Sequence, residues 1–302
     1  MSRGPRAGAV VTVPPHAAFV GEVARHPFVR GLRLNTVMPI KGSKEETLER
    51  LASHGQPLWI DLKGRQLRVA EAAVPPFTAV RLSHRIKVPT PTTAVFAGGA
   101  ERVEVLAVEG DRLILADGPR RVLGPGESVN LPHPELEVEG VLTAEDEAWI
   151  RAARRVGQHD YLLSFVEQAA DLEAVRALDP QARVRAKVES RKGLAFAKAH
   201  PGTPLMAARG DLYLEVEHPH EVLDAMRAVI AADPGAVAAS RIFDSMAWQG
   251  EPTCAELSDV AFLCHLGYRR FMLGDEVCLR RESVLEALNA LEATALSELA
   301  LR

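Results

Sequence analysis

Two hydrophobic patterns alternate along most of the chain. Short apolar runs are followed by longer segments with apolar residues at helical spacing, which is typical of parallel strands joined by helices. The predicted strands lie at residues 9–13, 29–35, 57–62, 161–166, 184–188, 204–208, 235–242 and 269–273. Helices are predicted at residues 16–29, 43–51, 143–156, 168–178, 220–232, 253–266 and 283–301. This alternation predicts an α/β fold, the (β/α)8 TIM barrel.

Residues 69–140 interrupt this alternation. They carry no helical period but contain short β-rich runs such as VRLSHRIKV, RVEVLAV and DRLILAD, separated by Gly and Pro. Runs of this kind predict a small antiparallel β domain inserted after the third strand. We therefore assign residues 1–68 to the first part of the barrel, 69–140 to the insertion and 141–302 to the remainder of the barrel.

Composition narrows the functional class. The 302 residues are 25% charged and 47% hydrophobic, with a net charge of −4, which is ordinary for an enzyme and predicts neither a nucleic-acid nor a membrane partner. No apolar run reaches bilayer-spanning length, and the N-terminus lacks the apolar core of a signal peptide. Three cysteines without CxxC spacing suit a reducing compartment. We therefore expect a cytoplasmic protein.

Charged residues occur where two neighbouring predicted strands end. Glu189 follows the fifth strand and Asp211 follows the sixth. Lys187 lies two residues before Glu189, so the two side chains point to the same side of their strand. Barrels hold a divalent metal beside an anionic substrate with such groups. A structural salt bridge is equally compatible with the spacing alone.

The sequence around these residues resembles the pyruvate kinase family. KVE at 187–189 and ARGDL at 208–212 resemble the family's metal- and substrate-binding strands. Other blocks follow in family order, namely RLN, DLKGRQLRV, SVNLP, LTAEDEAWI, LSFVEQAADLEAVRAL, ASRIFDSMA, PTCAELSDVA and FMLGDE. The resemblance implies a barrel with an inserted lid domain. It also implies Mg²⁺- or Mn²⁺-dependent phosphoryl transfer between phosphoenolpyruvate and a nucleotide, ADP or ATP, through a pyruvate enolate.

The resemblance assigns roles to residues of this chain. It implies that Glu189 and Asp211 bind the divalent metal, while Lys187 stabilises charge on the phosphoryl group or enolate oxygen. The backbone amides of Gly210 and Asp211 would hold the substrate carboxylate. Ser240 would relay a proton to the enolate carbon.

Further matched residues complete the implied substrate site. Ser164 would lie beside the substrate, and Arg33, a catalytic candidate, would contact phosphate oxygens together with Asn35 and Arg68. Asn35 and Asp61 are the side chains that remain of the family's monovalent-cation site. The printed chain stops after the last predicted helix, so we expect no C-terminal regulatory domain, and a homo-oligomer is compatible with the pattern.

Several positions depart from the family pattern around K⁺ and the nucleotide. The substituted positions are residues 13–15, Val37, Met38, Leu62, Gln66, residues 124–128, Glu167, Arg241 and the Gly274-Asp275-Glu276 segment. These departures leave the use of K⁺ and nucleotide open. Two alternatives therefore stay beside the kinase: a metal-dependent lyase or aldolase acting on pyruvate or another 2-oxoacid, and a non-catalytic metabolite-binding relative.

Overall fold

The computed structural model describes residues 7–300. In chain order its strands are β1 Gly8–Thr12, β2 Val29–Asn35, β3 Leu58–Leu62, β4 Ala79–Arg81, β5 Ile86–Lys87, β6 Thr92–Phe96, β7 Glu101–Glu109, β8 Arg112–Leu115, β9 Val129–Asn130, β10 Glu137–Val138, β11 Asp160–Leu163, β12 Arg183–Val188, β13 Leu205–Ala208, β14 Val237–Ala239 and β15 Arg270–Leu273. The helices are α1 Val20–Arg25, α2 Lys44–Ala52, α3 Ala144–Arg155, α4 Ala169–Leu178, α5 Arg191–Ala199, α6 Arg209–Glu215, α7 Glu221–Ala232, α8 Cys254–Leu266 and α9 Arg281–Ala300.

Eight parallel strands close into a barrel, in the order β1-β15-β14-β13-β12-β11-β3-β2. Closure places β2, β1 and β15 side by side, although the first and last of these lie at opposite ends of the chain. The predicted TIM barrel is confirmed. Since the strands are parallel, all of their C-terminal ends meet at one rim, where the active sites of such barrels lie.

The region between β3 and α3 forms separate antiparallel sheets. One has five strands in the order β4-β8-β7-β6-β9, and β10 pairs with β5 in a second. This region has its own apolar core, which includes Val80, Phe96, Val105 and Leu113. The predicted β insertion is therefore confirmed as an antiparallel unit distinct from the barrel.

Helix caps fix the loops at the barrel rim. Thr143 forms a capping box with Asp146 at the start of α3. The Asp146 carboxylate also accepts hydrogen bonds from the backbone N–H of Lys63 at 2.7 Å and of Gly64 at 3.1 Å. Gly64 has φ +50°, and a Cβ there would lie 2.6 Å from the carbonyl oxygen of Ser164. The loop after β3 is consequently held in one conformation against the rim.

Several predicted elements are shorter than the sequence pattern indicated, and two of them differ most. The helix predicted at 16–29 is confined to α1. A proline disfavours helical backbone in the residue before it, and His26, which precedes Pro27, is extended. The strand predicted at 235–242 is confined to β14, because Ser240 and Arg241 have left-handed backbone conformations. Within the described part of the chain, no helix combines the length and apolar character needed to cross a bilayer.

Candidate active site

Asp61, near the end of β3, is the centre of a buried ion-pair network at the rim. Its Oδ2 accepts hydrogen bonds from Arg33 Nε at 3.0 Å and Lys63 Nζ at 3.1 Å, and its Oδ1 lies 3.3 Å from Lys187 Nζ. Burial opposes ionisation, but these cations outweigh it and hold the pKa of Asp61 well below its ordinary value. Asp61 is therefore a carboxylate shared by three cations.

Arg33 extends this network to the opposite end of the chain. Its Nη1 donates hydrogen bonds to Thr12 Oγ1 and to Asp275 Oδ1, both at 2.7 Å. Asn35 Nδ2 donates to Asp275 Oδ2 at 2.8 Å. The two predicted phosphate contacts of β2 thus share Asp275, to which the sequence assigned no role. The Arg33 guanidinium thus has hydrogen-bond acceptors within the protein, among them the carboxylates of Asp61 and Asp275.

Lys63 lies where the sequence predicted the remnant of a monovalent-cation site. Its Nζ is 2.7 Å from Asn35 Oδ1 and 3.1 Å from Asp61 Oδ2. Burial lowers the pKa of Lys63 to about 8, opposed by Asp61. Because an ammonium group already lies between the two predicted ligands, their arrangement does not fit a K⁺ ion between Asn35 and Asp61.

Lys187 and Glu189, at the end of β12, form a second part of the network. Lys187 Nζ donates to Ser164 Oγ at 2.8 Å and lies 3.0 Å from Glu189 Oε1. The other carboxylate oxygen of Glu189 accepts a hydrogen bond from the backbone N–H of Phe165 at 2.8 Å. The structure therefore brings together the predicted pair and Ser164, with Lys187 and Glu189 only 6% and 1% exposed.

Asp211 approaches this pair from the first turn of α6. Burial raises the pKa of Glu189 to about 7, Lys187 opposes the rise, and the negative charge of Asp211 adds to it. Two such carboxylates suit a hard divalent cation, which would relieve their repulsion and take its other ligands from water or substrate. Across residues 7–300, no group of three or more His, Cys, Asp or Glu side chains is arranged to hold a metal.

Asn130 links Asp211 to the inserted region. From β9, its Nδ2 lies 3.2 Å from both Asp211 Oδ1 and Glu215 Oε1. Burial and the neighbouring charge of Asp211 raise the pKa of Glu215 to about 7, against the hydrogen bond from Asn130. The inserted region thus contributes a polar side chain directly to the predicted metal site.

Ser240 lies beside Gly210 at the start of α6. A Cβ at Gly210 would lie 3.4 Å from Ser240 Cβ. Ser240 has φ 68° and Arg241 has φ 56°, conformations that cost non-glycine residues about 1–2 kcal/mol each. Arg209 holds this turn by donating from Nη2 to the Ser240 carbonyl at 2.9 Å and pairing with Asp259 at 2.7 Å. Such strain is typical of functional turns.

Arg68, on the segment leading into the insertion, faces the same group of charges. Burial lowers the pKa of Arg68, and Asp61, Asp211, Glu189 and Asp275 all act against that shift. Its Nη2 donates to Gln66 Oε1 at 2.5 Å, whereas its buried Nε has no acceptor among the described residues. A buried N–H without an acceptor is costly, so Arg68 is suited to an anionic ligand.

The sequence assigned no role to four residues of this site: Lys63, Asn130, Glu215 and Asp275. Lys63 had a usable signal, because it lies two positions after Asp61 and projects to the same side. Asn130 and Asp275 lie in blocks that carried the family resemblance, SVNLP and FMLGDE. Glu215 had no signal beyond its place one helical turn after Asp211.

A barrel with a buried acid–base cluster at the C-terminal ends of its strands defines an enzyme-like class of fold and site. The family described as pyruvate kinase, barrel domain, matches residues 81–278, and the chain belongs to this family. It is 30% identical over 184 residues to the pyruvate kinase of Agrobacterium vitis, covering 59% of this chain and 38% of that protein. It is 32% identical over 178 residues to pyruvate kinase 2 of Saccharomyces cerevisiae, covering 56% and 35%.

A solved structure supports the fold. The crystal structure of Cryptosporidium parvum pyruvate kinase aligns with a TM-score of 0.79 and 19% sequence identity, covering 97% of this chain and 71% of that one. At that identity the likeness concerns the fold alone. In the sequence matches above, the aligned part is well under half of each relative's length.

Proposed function

We propose that the chain catalyses a reaction of the pyruvate kinase type, transferring a phosphoryl group between phosphoenolpyruvate and a nucleotide through a pyruvate enolate. The observation that carries the proposal is the buried Lys187–Glu189 pair at 3.0 Å, beside Asp211 at the barrel rim. Membership of the pyruvate kinase family supports an enzyme of this type. Phosphoryl transfer depends mainly on positioned charges, which this pair would provide.

Glu189 and Asp211 would hold Mg²⁺ or Mn²⁺, which would neutralise negative charge on the phosphoryl and enolate oxygens. Lys187 would place a fixed positive charge beside the same oxygens. Burial would deprotonate that lysine, but Asp61 and Glu189 outweigh it and raise its pKa, so the ammonium stays charged. Ser164 orients the ammonium through its hydrogen bond, and Ser240 would deliver a proton to the enolate carbon.

Phosphate binding would fall mainly to Arg68. Its Nε is buried and without an acceptor in the described structure, whereas the Arg33 guanidinium already serves Asp61 and Asp275. Asp275 has a side chain that is 40% exposed, so it can turn away from Arg33 towards solvent. Arg33 would contact a phosphate only after the Asp275 carboxylate has moved away and the phosphate has taken its place.

A second candidate is a lyase or aldolase that forms the same enolate without a nucleotide. It is favoured by the position of Asp275, whose carboxylate occupies an Arg33 donor and so withholds it from a substrate phosphate. A substrate such as pyruvate, which carries no phosphate, would leave this ion pair in place. Both candidates would use Lys187, Glu189 and Asp211 in the same way to stabilise the enolate. They differ in whether the substrate carries a phosphate group.

Phosphorus NMR of phosphoenolpyruvate and ADP with Mg²⁺ tests the proposal. We expect ATP to form with wild type and its rate to fall about 100-fold or more in Lys187→Met, because a positioned cation is lost. Lys198→Met, an exposed lysine of the following helix, is the matched control and should keep the wild-type rate. Absence of phosphoryl transfer with ADP and with other nucleoside diphosphates would overturn the kinase proposal.

A further inference from the structure

A cavity lies inside the barrel at the N-terminal ends of the strands, opposite the rim that carries Lys187. Its volume is about 450 Å³. Its walls are mostly apolar, with Val10, Leu162, Met206 and Val237 from four different barrel strands. Pockets of this size are large enough for a small organic ligand.

Arg185 is the buried polar group of this cavity. It lies on β12 two residues before Lys187, so it points to the same side of the strand, one strand repeat lower, about 6–7 Å along β12. The residue is 8% exposed, and its guanidinium carbon lies 5.5 Å from the centre of the Trp59 ring. A buried guanidinium beside an indole forms one wall on which a flat ligand can pack.

The Arg185 charge is only partly compensated. Its Nη1 donates to the Leu205 carbonyl at 2.9 Å and to the Gly235 carbonyl at 3.4 Å, while Nε and Nη2 make no hydrogen bond with any residue in the described range. Its ion-pair partner is Asp233, whose Oδ2 lies 3.7 Å from Nη1. That carboxylate is occupied by the backbone N–H groups of Leu205 and Gly235, each at 2.8 Å. Burial accordingly lowers the pKa of Arg185 to about 10.

Two further arginines, Arg30 and Arg270, surround the opening. Arg270 Nη1 donates to the Gly235 carbonyl at 3.0 Å, and Arg30 Nη1 donates to the Pro27 carbonyl at 2.6 Å. Neither makes an ion pair with a described residue, and none of the described residues that line the cavity is an Asp or Glu. Three arginines around one apolar cavity without an acidic lining produce a field that attracts anions.

We propose that this cavity binds a small organic anion, with its carboxylate or phosphate group on Arg185 and its apolar or aromatic body against Trp59. The free Nε and Nη2 of Arg185 provide the two parallel donors that carboxylate and phosphate oxygens accept. Arg270 and Arg30 would attract the ligand to the opening. The proposal is independent of the reaction at the opposite rim, since it uses none of the residues of that site.

Titration with phenyl phosphate, benzoate and inorganic phosphate at constant ionic strength tests this site, with tryptophan fluorescence and calorimetry as readouts. We expect saturable binding of phenyl phosphate or benzoate, with inorganic phosphate at least tenfold weaker because it lacks the apolar body. Tighter binding of phenyl phosphate would identify the preferred anionic group as a phosphate, and tighter binding of benzoate would identify it as a carboxylate. Equal affinity for inorganic phosphate would overturn the proposal in favour of nonspecific anion binding.

Variants locate the binding. Arg185→Met should weaken it at least tenfold, and Arg270→Gln, at the exposed opening, should weaken it several-fold. Arg183→Met is the matched control, because Arg183 lies on the same strand but is paired with Asp160 at 2.6 Å and is absent from the cavity lining; it should bind as wild type. Lys187→Met should also bind as wild type whether or not the proposed activity exists. Unchanged affinity in both Arg185→Met and Arg270→Gln, or no binding by wild type, contradicts the proposal.

Discussion

The two ends of this barrel handle buried positive charge differently. At the C-terminal rim, Asp61 contacts three cations, and every cation of that network has a carboxylate within 3.3 Å. At the opposite end, Arg185 has its ion-pair partner at 3.7 Å, and the cavity lining described there contains no acid. One strand supplies both ends, with Lys187 above and Arg185 below. The paired cations at the C-terminal rim are already held in position for a reaction. The incompletely paired Arg185 can still accept an anionic ligand.

The largest effect is expected from removing the shared carboxylate. Asp61→Asn keeps the shape of the side chain but leaves Arg33, Lys63 and Lys187 buried around a neutral group. Removing one partner of a buried ion-pair network costs about 3–5 kcal/mol in the free energy of unfolding. Urea denaturation measures the loss. Asp160→Asn, which breaks an ion pair with the exposed Arg183, is the control and should cost at most about 1 kcal/mol.

A much smaller loss of stability, or a gain, is expected at the other end. Arg185→Met removes a buried, partly compensated charge and fills its space with an apolar side chain. We expect the free energy of unfolding to rise, or to fall by less than about 1 kcal/mol, because the desolvation cost of the charge disappears. Arg33→Met at the compensated end should instead lose several kcal/mol, about as much as Asp61→Asn. Similar losses for the two arginine variants would remove the contrast between the ends.

Asp244 extends the comparison to a partly buried acid, for which the opposing charges of Arg209 and Arg241 are outweighed. Burial raises the pKa of Asp244 from 3.8 to about 6, and the nearby Glu276 and Glu256 add to the rise. The folded state therefore binds a proton that the unfolded state has released, and this contribution to stability is lost as pH rises from about 4 to 6. Asp244→Asn should raise the free energy of unfolding at pH 8 by about 1 kcal/mol, after allowance for solvent screening.

Denaturation series at pH 4.5 and pH 8 check the Asp244 prediction. The gain in Asp244→Asn should be present at pH 8 and should shrink at pH 4.5, where the wild-type carboxyl is already neutral in the folded state. The same gain at both pH values would show that titration is not its cause.

The smallest effect concerns the monovalent cation. Because the Lys63 ammonium lies between Asn35 and Asp61, we expect any enolate-forming activity to change by less than about twofold when KCl is replaced by tetramethylammonium chloride. Lys63→Ala vacates that position and should make the activity depend on K⁺. Initial rates over a KCl series at constant ionic strength measure both. Strong K⁺ activation of wild type would contradict the inference that the Lys63 ammonium takes the place of K⁺.

The sequence predicted the barrel well, because strand and helix periods were regular on both sides of the insertion. It also predicted the neighbours Lys187 and Glu189, since residues two apart share a strand face. It could not predict that Asp275 contacts Arg33 and Asn35. That contact depends on closure of the barrel, which brings β2 within reach of the segment after β15. Nor could it predict the lower cavity, because that space depends on how the side chains of several strands fill the barrel.

Proton exchange at the methyl group of pyruvate in D₂O with Mg²⁺, followed by NMR, is the strongest test of the enolate chemistry that we propose for the rim at Lys187. We expect exchange with wild type and loss of exchange in Lys187→Met. A requirement for ATP would support the kinase, and exchange without nucleotide would favour the lyase or aldolase. No exchange of pyruvate or of other 2-oxoacids under any of these conditions, or equal exchange in Lys187→Met, would contradict the account.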